Sequence, residues 1–142
     1  MNTEQCYGII VVNKDEDLKF LIVQLVDAEG SWGFPKGHHE GNETKLETAK
    51  REALEEVGIP DIKILDTELI HEEYFINRNG VQALKNNDYF IGFVDTKEVV
   101  VEQEEINDFK WATYEEALNL FQYDTRKVVL TKAKNILENY GK

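Results

Sequence analysis

The sequence predicts a mixed α/β fold in which a mixed sheet lies between helices. Two observations support this prediction: short runs rich in β-branched residues are interspersed with amphipathic helical segments, and they do not follow a regular strand–helix–strand repeat. The 142 residues form one predicted domain, 1–142, with 42% hydrophobic and 31% charged content that is ordinary for a globular protein. A chain of this length can bury roughly 68–70% of its unfolded surface without disulfides or metal staples.

Two predicted strands come first and form a hairpin. Tyr7–Val12 and Phe20–Val26 are short, β-branched-rich runs, and the polar residues 13–17 between them indicate the turn. Asp27–Ser31 is predicted to be a loop. Residues 32–37 then lead into the first helix.

The first helix carries clear signals at both of its ends. Thr44 and Glu47 have the spacing of a capping box, which begins a helix. Gly58, with Pro60 just beyond it, ends the helix. Spacings of three, four and four residues give one apolar stripe that faces the core: Leu46, Ala49, Ala53 and Val57.

The middle of the chain is predicted to be extended. Ile62–Ile76 shows partial alternation, and Asn79–Gly80 is typical of a tight turn. Val81–Asn87 is predicted to be an irregular loop. A strand is predicted at Tyr89–Val94, and a short one at Val99–Val101.

Two helices are predicted in the last third of the chain. Residues 107–111 lead to a helix at Tyr114–Phe121, which begins with a second capping box at Thr113 and Glu116. The last helix runs from about Arg126 to Tyr140, and one side of it is apolar: Val129, Ala133, Ile136 and Tyr140.

Charge and cysteine content exclude several classes of protein. The formal net charge of −12 disfavours a long nucleic acid as a partner, because phosphate binding needs a basic face. The single cysteine, Cys6, cannot form an intramolecular disulfide and fits a reducing cytosol. No apolar run approaches the ~18 residues of a membrane span, and the N-terminal residues lack the features of a secretory signal. We therefore expect a cytoplasmic protein with no membrane partner, and the sequence leaves its oligomeric state open.

The first helix is the most informative segment for function. Residues 40–56 contain six carboxylates: Glu40, Glu43, Glu47, Glu52, Glu55 and Glu56. Glu52, Glu55 and Glu56 lie together on one helical face, where like charges repel unless a cation sits between them. Carboxylate oxygens at this density suit Mg²⁺, which prefers a few carboxylates together with water and substrate phosphate. A solvated Glu-rich helix would have the same composition, so only the spacing of the glutamates can distinguish a metal site from a solvated helix.

The spacing resembles the Nudix box. Residues 37–59 read Gly, five residues, Glu, seven residues, Arg-Glu, two residues, Glu-Glu, one residue, Gly and an aliphatic residue, which matches every fixed position of that motif. Ala53 is smaller than the bulky aliphatic residue that the motif usually has. The resemblance implies an α/β/α sandwich and a Mg²⁺-dependent hydrolase, with Mn²⁺ as a possible substitute. It also implies a set of metal ligands: Gly37, Glu52, Glu55 and Glu56.

The segment before the box, Trp32-Gly33-Phe34-Pro35-Lys36-Gly37-His38, is similar to that of the asymmetric diadenosine tetraphosphate hydrolases. This resemblance implies a small-molecule nucleotide substrate, diadenosine tetraphosphate, which would be cleaved to ATP and AMP. It implies three contacts to the phosphate chain, Lys36, His38 and Lys85. It also implies two rings that stack on adenine, Tyr89 and Tyr123.

The same resemblance assigns roles to four further polar positions. Nudix enzymes often carry one more Glu shortly before a Trp at the end of the last strand, and Glu105, six residues before Trp111, matches it as metal ligand or general base. Glu52 is the other candidate base. Arg51 is expected to orient the box carboxylates by bidentate hydrogen bonds, and Glu43 is expected to be structural.

Several alternatives remain open at this point. The same box serves 5′-RNA pyrophosphohydrolases, nucleoside triphosphate pyrophosphatases and ADP-ribose pyrophosphatases, and the first of these share an aromatic-rich lead-in. A net charge of −12 disfavours a long RNA but not a single 5′ end. A Nudix fold can also serve as a catalytically silent binding module, but such modules usually lack box glutamates that this chain retains.

Overall fold

The computed structural model describes residues 2–15, 17–26 and 30–140, and these form eight strands and three helices. The strands are β1 (Asn2–Lys14), β2 (Leu18–Leu25), β3 (Trp32–Gly33), β4 (Lys36–His38), β5 (Lys63–Ile64), β6 (Ile70–Arg78), β7 (Val81–Phe93) and β8 (Ile106–Ala112). The helices are α1 (Lys45–Val57), α2 (Tyr114–Leu120) and α3 (Asp124–Asn139). None of the helices in these ranges has both the length and the apolar character needed to cross a membrane.

The strands form one mixed sheet. Its main order is β3–β2–β1–β7–β5, while β4 pairs with β1, β6 with β7 and β8 with β2. β1 runs parallel to β7, from Asn2 opposite Ala83 to Val12 opposite Phe93, and the other pairs are antiparallel. The predicted mixed sheet is therefore confirmed.

Each face of the sheet has its own hydrophobic core, because successive side chains of a strand point to opposite faces. In β1, Ile10 and Val12 pack on the side of α2 and α3, whereas Ile9 and Val11 pack on the side of α1. Helices thus cover both faces of the sheet, which confirms the predicted sandwich.

Short sequence signals set the ends of the first elements, as predicted. β1 and β2 pair antiparallel as a hairpin. The Thr44 side chain accepts a hydrogen bond from the Glu47 backbone N–H at the start of α1, and Gly58 ends the helix with a φ of 71°. In the turn between β6 and β7, Asn79 and Gly80 have φ values of 53° and 83°, which suit a two-residue hairpin loop.

The last two helices also begin close to the predicted residues. Thr113 and Glu116 form the second capping box, as predicted, at the start of α2. α3 begins at Asp124, two residues earlier than expected. The apolar side of α3 is confirmed in its middle, where Val129 and Ala133 are buried.

Two predictions about strands were wrong. Val81–Asn87, predicted as an irregular loop, is the first half of β7. The backbone of this segment pairs with β6 on one side and β1 on the other, and its polar side chains gave no sign of that pairing. Val99–Val101, predicted as a strand, lies across the end of α1, where the Val100 N–H donates to the Val57 carbonyl at 3.1 Å.

Three other segments differ from the prediction in detail. The lead-in to the first helix contains the short strands β3 and β4. The extended segment Ile62–Ile76 comprises β5 and most of β6 with a loop between them. Of the predicted loop Asp27–Ser31, residues 27–29 lie outside the described residues, and Gly30 and Ser31 are in a loop.

Candidate active site

Strand β4 and helix α1 bring the predicted metal-binding residues together. β4 pairs with β1 so that Gly37 lies opposite Tyr7, whose side chain packs in the core on the α1 side. The Glu52 carboxylate lies against Gly37 so closely that any side chain at position 37 would overlap it. The glycine therefore lets the Glu52 carboxylate lie directly against the backbone of β4, and a larger residue would have to displace it.

Arg51 contacts four of the surrounding carboxylates. Its Nε and Nη2 donate to the two oxygens of Glu43 at 2.6 and 3.1 Å, and its Nη1 donates to Glu52 at 2.9 Å and to Glu55 at 3.2 Å. Glu40 lies 3.7 Å away. The hydrogen bond from Arg51 lowers the pKa of Glu43 to about 2, and the same bond raises the pKa of Arg51. The arginine thus gathers the charges of one sequence motif around a single cation.

Glu56 is the buried carboxylate of the group, with 5% of the residue exposed. Its Oε1 accepts a hydrogen bond from the backbone N–H of Lys36 at 3.0 Å. Burial raises the pKa of Glu56, and the nearby charge of Glu52 raises it further. Burial also raises the pKa of Glu52. The two carboxylates therefore resist being ionised together in the absence of a cation.

The donor set of α1 fits a divalent cation. Glu52, Glu55 and Glu56 supply hard oxygen ligands of the kind that Mg²⁺ prefers. A bound cation would favour the ionised forms of Glu52 and Glu56, whose pKa is raised by burial and by neighbouring carboxylates. Within the described ranges, no three His, Cys, Asp or Glu side chains are arranged around one ion position. Glu52 and Glu55 contact Arg51, and Glu56 contacts the Lys36 backbone. A cation would have to compete with these contacts, so the ligand assignment stays a prediction.

Glu105 lies near these carboxylates, although it is far from them in sequence. It is exposed in the turn before β8, and its carbonyl accepts a hydrogen bond from the Val26 N–H at 3.0 Å. Its charge contributes to raising the pKa of both Glu52 and Glu56. Its role as metal ligand or general base stays a prediction.

Two lysines lie close together on the sheet beside the carboxylates. Lys36 is on β4 and Lys85 is on β7, with β1 between these strands. Burial lowers the pKa of Lys36, and the charges of Lys85 and Arg126 lower it further. Lys36 and Lys85 therefore lie near enough for their charges to interact, and both stay predicted contacts to the phosphate chain.

His38 follows at the end of β4 and is exposed. Its Nε2 lies 3.0 Å from Glu4 Oε1, and its backbone carbonyl accepts from Arg51 Nη2 at 3.0 Å. The side chain thus lies at the edge of the carboxylate cluster, and its contact with phosphate stays a prediction.

Tyr89 does not lie where the stacking prediction requires it. Its side chain is fully buried, its ring meets Phe34 edge-on at 5.5 Å between centroids, and its hydroxyl donates to Glu72 Oε1 at 3.0 Å. The ring has no face open to a base, so the prediction that Tyr89 stacks on adenine is wrong. The physical reason is the strand alternation of β7, which points Tyr89 into the core on the α2 and α3 side.

Tyr74, which the sequence analysis missed, is the ring that lies beside Tyr123 in the structure. The rings of Tyr74 and Tyr123 are nearly parallel, at 7°, with centroids 6.3 Å apart. Tyr123 is 45% exposed, just before α3, and Tyr74 lies opposite Lys85 in the β6–β7 pairing. The signal for Tyr74 was present, because a hairpin closed at Asn79–Gly80 places it beside Lys85.

A buried polar network adjoins the two rings, and it too was missed. Arg126 of α3 is 1% exposed and donates from Nη2 to the Tyr74 hydroxyl at 3.2 Å and from Nη1 to the Trp32 carbonyl at 3.1 Å. Its Nε lies 3.6 Å from Oε2 of the buried Glu72 of β6. The available signal was the position of Glu72 on β6, two residues after Ile70 and therefore on the buried face.

Comparisons with known proteins cover most of the chain. Residues 4–133 match the model of the NUDIX domain. The chain is 30% identical to the bis(5′-nucleosyl)-tetraphosphatase (asymmetrical) of Rattus norvegicus over 121 residues, which are 84% of this chain and 81% of the relative. It is 48% identical to the RNA pyrophosphohydrolase of Helicobacter pylori strain G27 over 44 residues, which are 31% of this chain and 28% of the relative.

Solved structures share the fold at lower identity. The C. elegans Ap4A hydrolase in a binary complex superposes with a TM-score of 0.82 at 24% identity, over 96% of this chain and 99% of that chain. The E. coli dihydroneopterin triphosphate pyrophosphohydrolase gives a TM-score of 0.75 at 19% identity, over 93% and 97%. These likenesses establish the architecture and leave the substrate to the residues of the site.

Proposed function

This chain belongs to the Nudix hydrolase family, and from that premise we propose that it hydrolyses dinucleoside polyphosphates, cleaving diadenosine tetraphosphate to ATP and AMP. The similarity to an asymmetrical bis(5′-nucleosyl)-tetraphosphatase over 84% of the chain supports this choice of substrate. The geometry of the site supports it independently.

The observation that carries the proposal is a pair of parallel rings at one end of a row of cations and carboxylates. The rings of Tyr74 and Tyr123 lie at β6, Lys85 lies on the adjacent β7, and Lys36 lies on β4 beyond β1. Three steps of about 4.8 Å between strands make about 14 Å from β6 to β4. Lys36 lies opposite Gly8 of β1 whereas Lys85 lies opposite Glu4, so a separation along the strands adds to this distance. Since the box carboxylates contact β4, a chain of several phosphates would span this row, whereas a single phosphate would not.

A base could enter the ring pair if the two rings moved apart. Aromatic atoms pack at about 3.5 Å, so a base between two rings needs about 7 Å between the ring planes. The centroids of Tyr74 and Tyr123 are 6.3 Å apart, and we propose that the half-exposed Tyr123 moves outward when a base binds. A base stacked on both rings would gain about 1–3 kcal/mol from each.

The chemistry proposed for the other end of the row is hydrolytic. Mg²⁺, or Mn²⁺ in its place, would be held by oxygens of Gly37, Glu52, Glu55, Glu56 and Glu105. Such a cation, when bound, neutralises phosphate charge and lowers the pKa of the attacking water.

The chain's own residues would complete the reaction. Glu52 or Glu105 would accept the proton of the attacking water, and Arg51 would keep Glu43 and Glu52 in place. Lys36 would hold the phosphate chain. Attack of the water oxygen on a phosphorus would form a new P–O bond and break the bond to the bridging oxygen, which leaves with the other nucleotide, so that the products are ATP and AMP.

A second candidate is removal of phosphate from the 5′ end of RNA. The 48% identity to an RNA pyrophosphohydrolase favours it, but that similarity spans only 31% of the chain. The net charge of −12 also opposes a long RNA bound beyond its end. We further propose a cytoplasmic location, which is supported by the free, buried thiol of Cys6.

The test is a product assay with a substrate panel. The protein is incubated with Mg²⁺ and diadenosine tetraphosphate, ATP, ADP-ribose or 5′-triphosphorylated RNA, and a parallel series contains EDTA in place of the metal. We expect the highest kcat/KM for diadenosine tetraphosphate, equal amounts of ATP and AMP, and no turnover with EDTA. A kcat/KM about tenfold higher for RNA or for a single nucleotide would overturn the substrate, and metal-independent turnover would overturn the site.

A further inference from the structure

We infer that the buried pair of Glu72 and Arg126 is a positioning device that holds Tyr74 and Tyr123 parallel for a nucleobase. The inference rests on the proposed function, because it takes the ring pair to be the base site of a nucleotide. It assigns a role in base recognition to two residues that would not touch the base or the phosphates.

The guanidinium of Arg126 contacts both rings. Its Cζ lies 5.3 Å from the centroid of the Tyr123 ring and 5.9 Å from that of Tyr74, distances at which a cation is attracted to a ring face. Its Nη2 also donates to the Tyr74 hydroxyl at 3.2 Å. One side chain therefore fixes the ring of β6 relative to the ring before α3.

Arg126 is itself held on several sides. Its Nη1 donates to the Trp32 carbonyl of β3 at 3.1 Å. A side chain at Gly33 would lie 3.1 Å from Nη1, which is tighter than ordinary contacts, so this glycine makes room for the guanidinium. The planar fork of an arginine can make these contacts at once, whereas a lysine ammonium cannot.

Glu72 anchors the pair from β6. Its Oε1 accepts from the Asn87 amide at 3.1 Å and from the Tyr89 hydroxyl at 3.0 Å, and its Oε2 accepts from the Thr125 hydroxyl at 2.9 Å. These contacts join β6, β7 and the first turn of α3, which also carries Arg126. Glu72 therefore fixes the helix end on which the guanidinium is mounted.

Arg126 makes its hydrogen bonds to groups around the rings rather than to Glu72. The Nε of Arg126 has no hydrogen-bond partner within the described residues, although it lies 3.6 Å from Glu72 Oε2. The two Nη atoms are used instead on Tyr74 and Trp32. A buried ion pair is often no more stable than an apolar pair of the same size, so its placement beside the rings points to positioning.

The experiment separates base recognition from stability with two matched ligands and with a double variant in which both buried charges are removed. AMP and ribose 5-phosphate differ only in the base, and their dissociation constants are measured by calorimetry. The variants are Arg126→Met, the double variant Glu72→Gln with Arg126→Met, and Arg126→Lys, which keeps a cation beside Glu72. The control is Thr131→Val, which removes the hydroxyl contact to Tyr114 at 2.9 Å on the same helix but leaves the rings untouched.

We expect the three Arg126 variants to bind AMP about tenfold more weakly than the unaltered protein and to bind ribose 5-phosphate equally well. Arg126→Met should lower the Tm, because Glu72 is left buried without a cation, and adding Glu72→Gln should recover part of it. The Thr131→Val variant should lose stability without losing AMP affinity.

Two results would overturn the inference. One is a double variant or an Arg126→Lys variant that folds and binds AMP as tightly as the unaltered protein, since the pair would then be structural only. The other is an unaltered protein that binds AMP no more tightly than ribose 5-phosphate. If diadenosine tetraphosphate is not hydrolysed but AMP affinity still depends on Arg126, the inference stands and only the proposed substrate falls.

Discussion

The two ends of the site are each built around an arginine, and the two arginines differ in surroundings. Arg51 has 23% of its side chain exposed and contacts four carboxylates, all from residues 40–55. Arg126 has 1% of its side chain exposed, and Glu72, 3.6 Å away, is its carboxylate partner. The other contacts of Arg126 are to rings, a hydroxyl and a carbonyl that come from β3, β6 and the residue before α3.

This difference shows that one residue type can solve two physical problems. At the carboxylate end, the problem is like-charge repulsion within one helix, and an exposed cation with several partners reduces it. At the ring end, the problem is to keep two aromatic side chains from distant segments at a fixed spacing, and a buried planar fork does so. We therefore expect changes at the carboxylate end to act on turnover and changes at the ring end to act on affinity or stability.

The largest expected effect is at the carboxylate end. Glu56→Gln should lower kcat by about 10²–10⁴-fold, because it removes a buried ligand oxygen charge from the proposed metal site. The variant should remain folded, and its metal-free form should be slightly more stable since one repelling charge is gone. Steady-state assays with Mg²⁺ and thermal unfolding with EDTA measure the two effects. A variant that retains most of its activity would contradict the site.

The next effect tests whether Tyr89 belongs to the core rather than to the ring pair. Tyr89→Ala should destabilise the fold by about 3–5 kcal/mol, as truncation of a large buried aromatic does. Urea unfolding of this variant is compared with that of Tyr123→Ala, whose exposed ring should cost far less. Equal losses of stability in the two variants would contradict the assignment of Tyr89, and not Tyr123, to the core.

A smaller effect is expected for the ring pair in catalysis. Tyr74→Ala should lower kcat/KM for diadenosine tetraphosphate by about 5- to 150-fold, which corresponds to the loss of one stacked ring. Tyr74→Phe is the matched comparison, because it keeps the ring and removes only the hydroxyl that accepts from Arg126, and it should lose less kcat/KM than Tyr74→Ala. The loss should appear mainly in KM. An unchanged kcat/KM for Tyr74→Ala would show that the base does not stack on Tyr74.

The smallest expected effect is a pH dependence of folding stability that arises at the carboxylate end. The pKa of Glu56 is raised from its ordinary value of 4.5, so the metal-free folded protein binds more protons at this residue than the unfolded chain does. Its contribution to stability therefore falls as pH rises above 4.5, and Glu56→Gln should flatten this slope. Glu43 acts the opposite way, because its pKa is lowered to about 2 and its contribution is lost as pH falls below 4.5. Urea unfolding at several pH values in EDTA would show both trends, and a slope unchanged in Glu56→Gln would reject this explanation.

The carboxylate end was predictable from sequence because its determinants are local. Thr44, Glu47 and Gly58 set the helix ends, and the box spacing fixes which glutamates share a face. Glu105 was proposed from the resemblance alone; the structure places it in the turn before β8, and its role stays a prediction.

The ring end could be predicted only in part, because its contacts join distant segments. The resemblance gave the stacking role to Tyr89, a tyrosine on a predicted strand, and the pairing that buries it depends on β1 and β6. Predicting Val81–Asn87 as a loop then removed the pairing that puts Tyr74 beside Lys85. Charged residues within a strand, such as Glu72, give no sign of burial until the neighbouring strands are known.

The parallel pairing of β1 and β7 also has a consequence for the order in which the protein folds. Asn2 lies opposite Ala83, so the central pairing of the sheet joins segments about 80 residues apart in the chain. Contacts of this range are slow to form, because the intervening chain loses entropy before the strands stabilise each other. Helix α1 needs no such pairing to begin, whereas Tyr123 and Arg126 reach their partners only after the sheet exists. We therefore expect refolding to acquire helical signal before it acquires the capacity to bind a nucleotide.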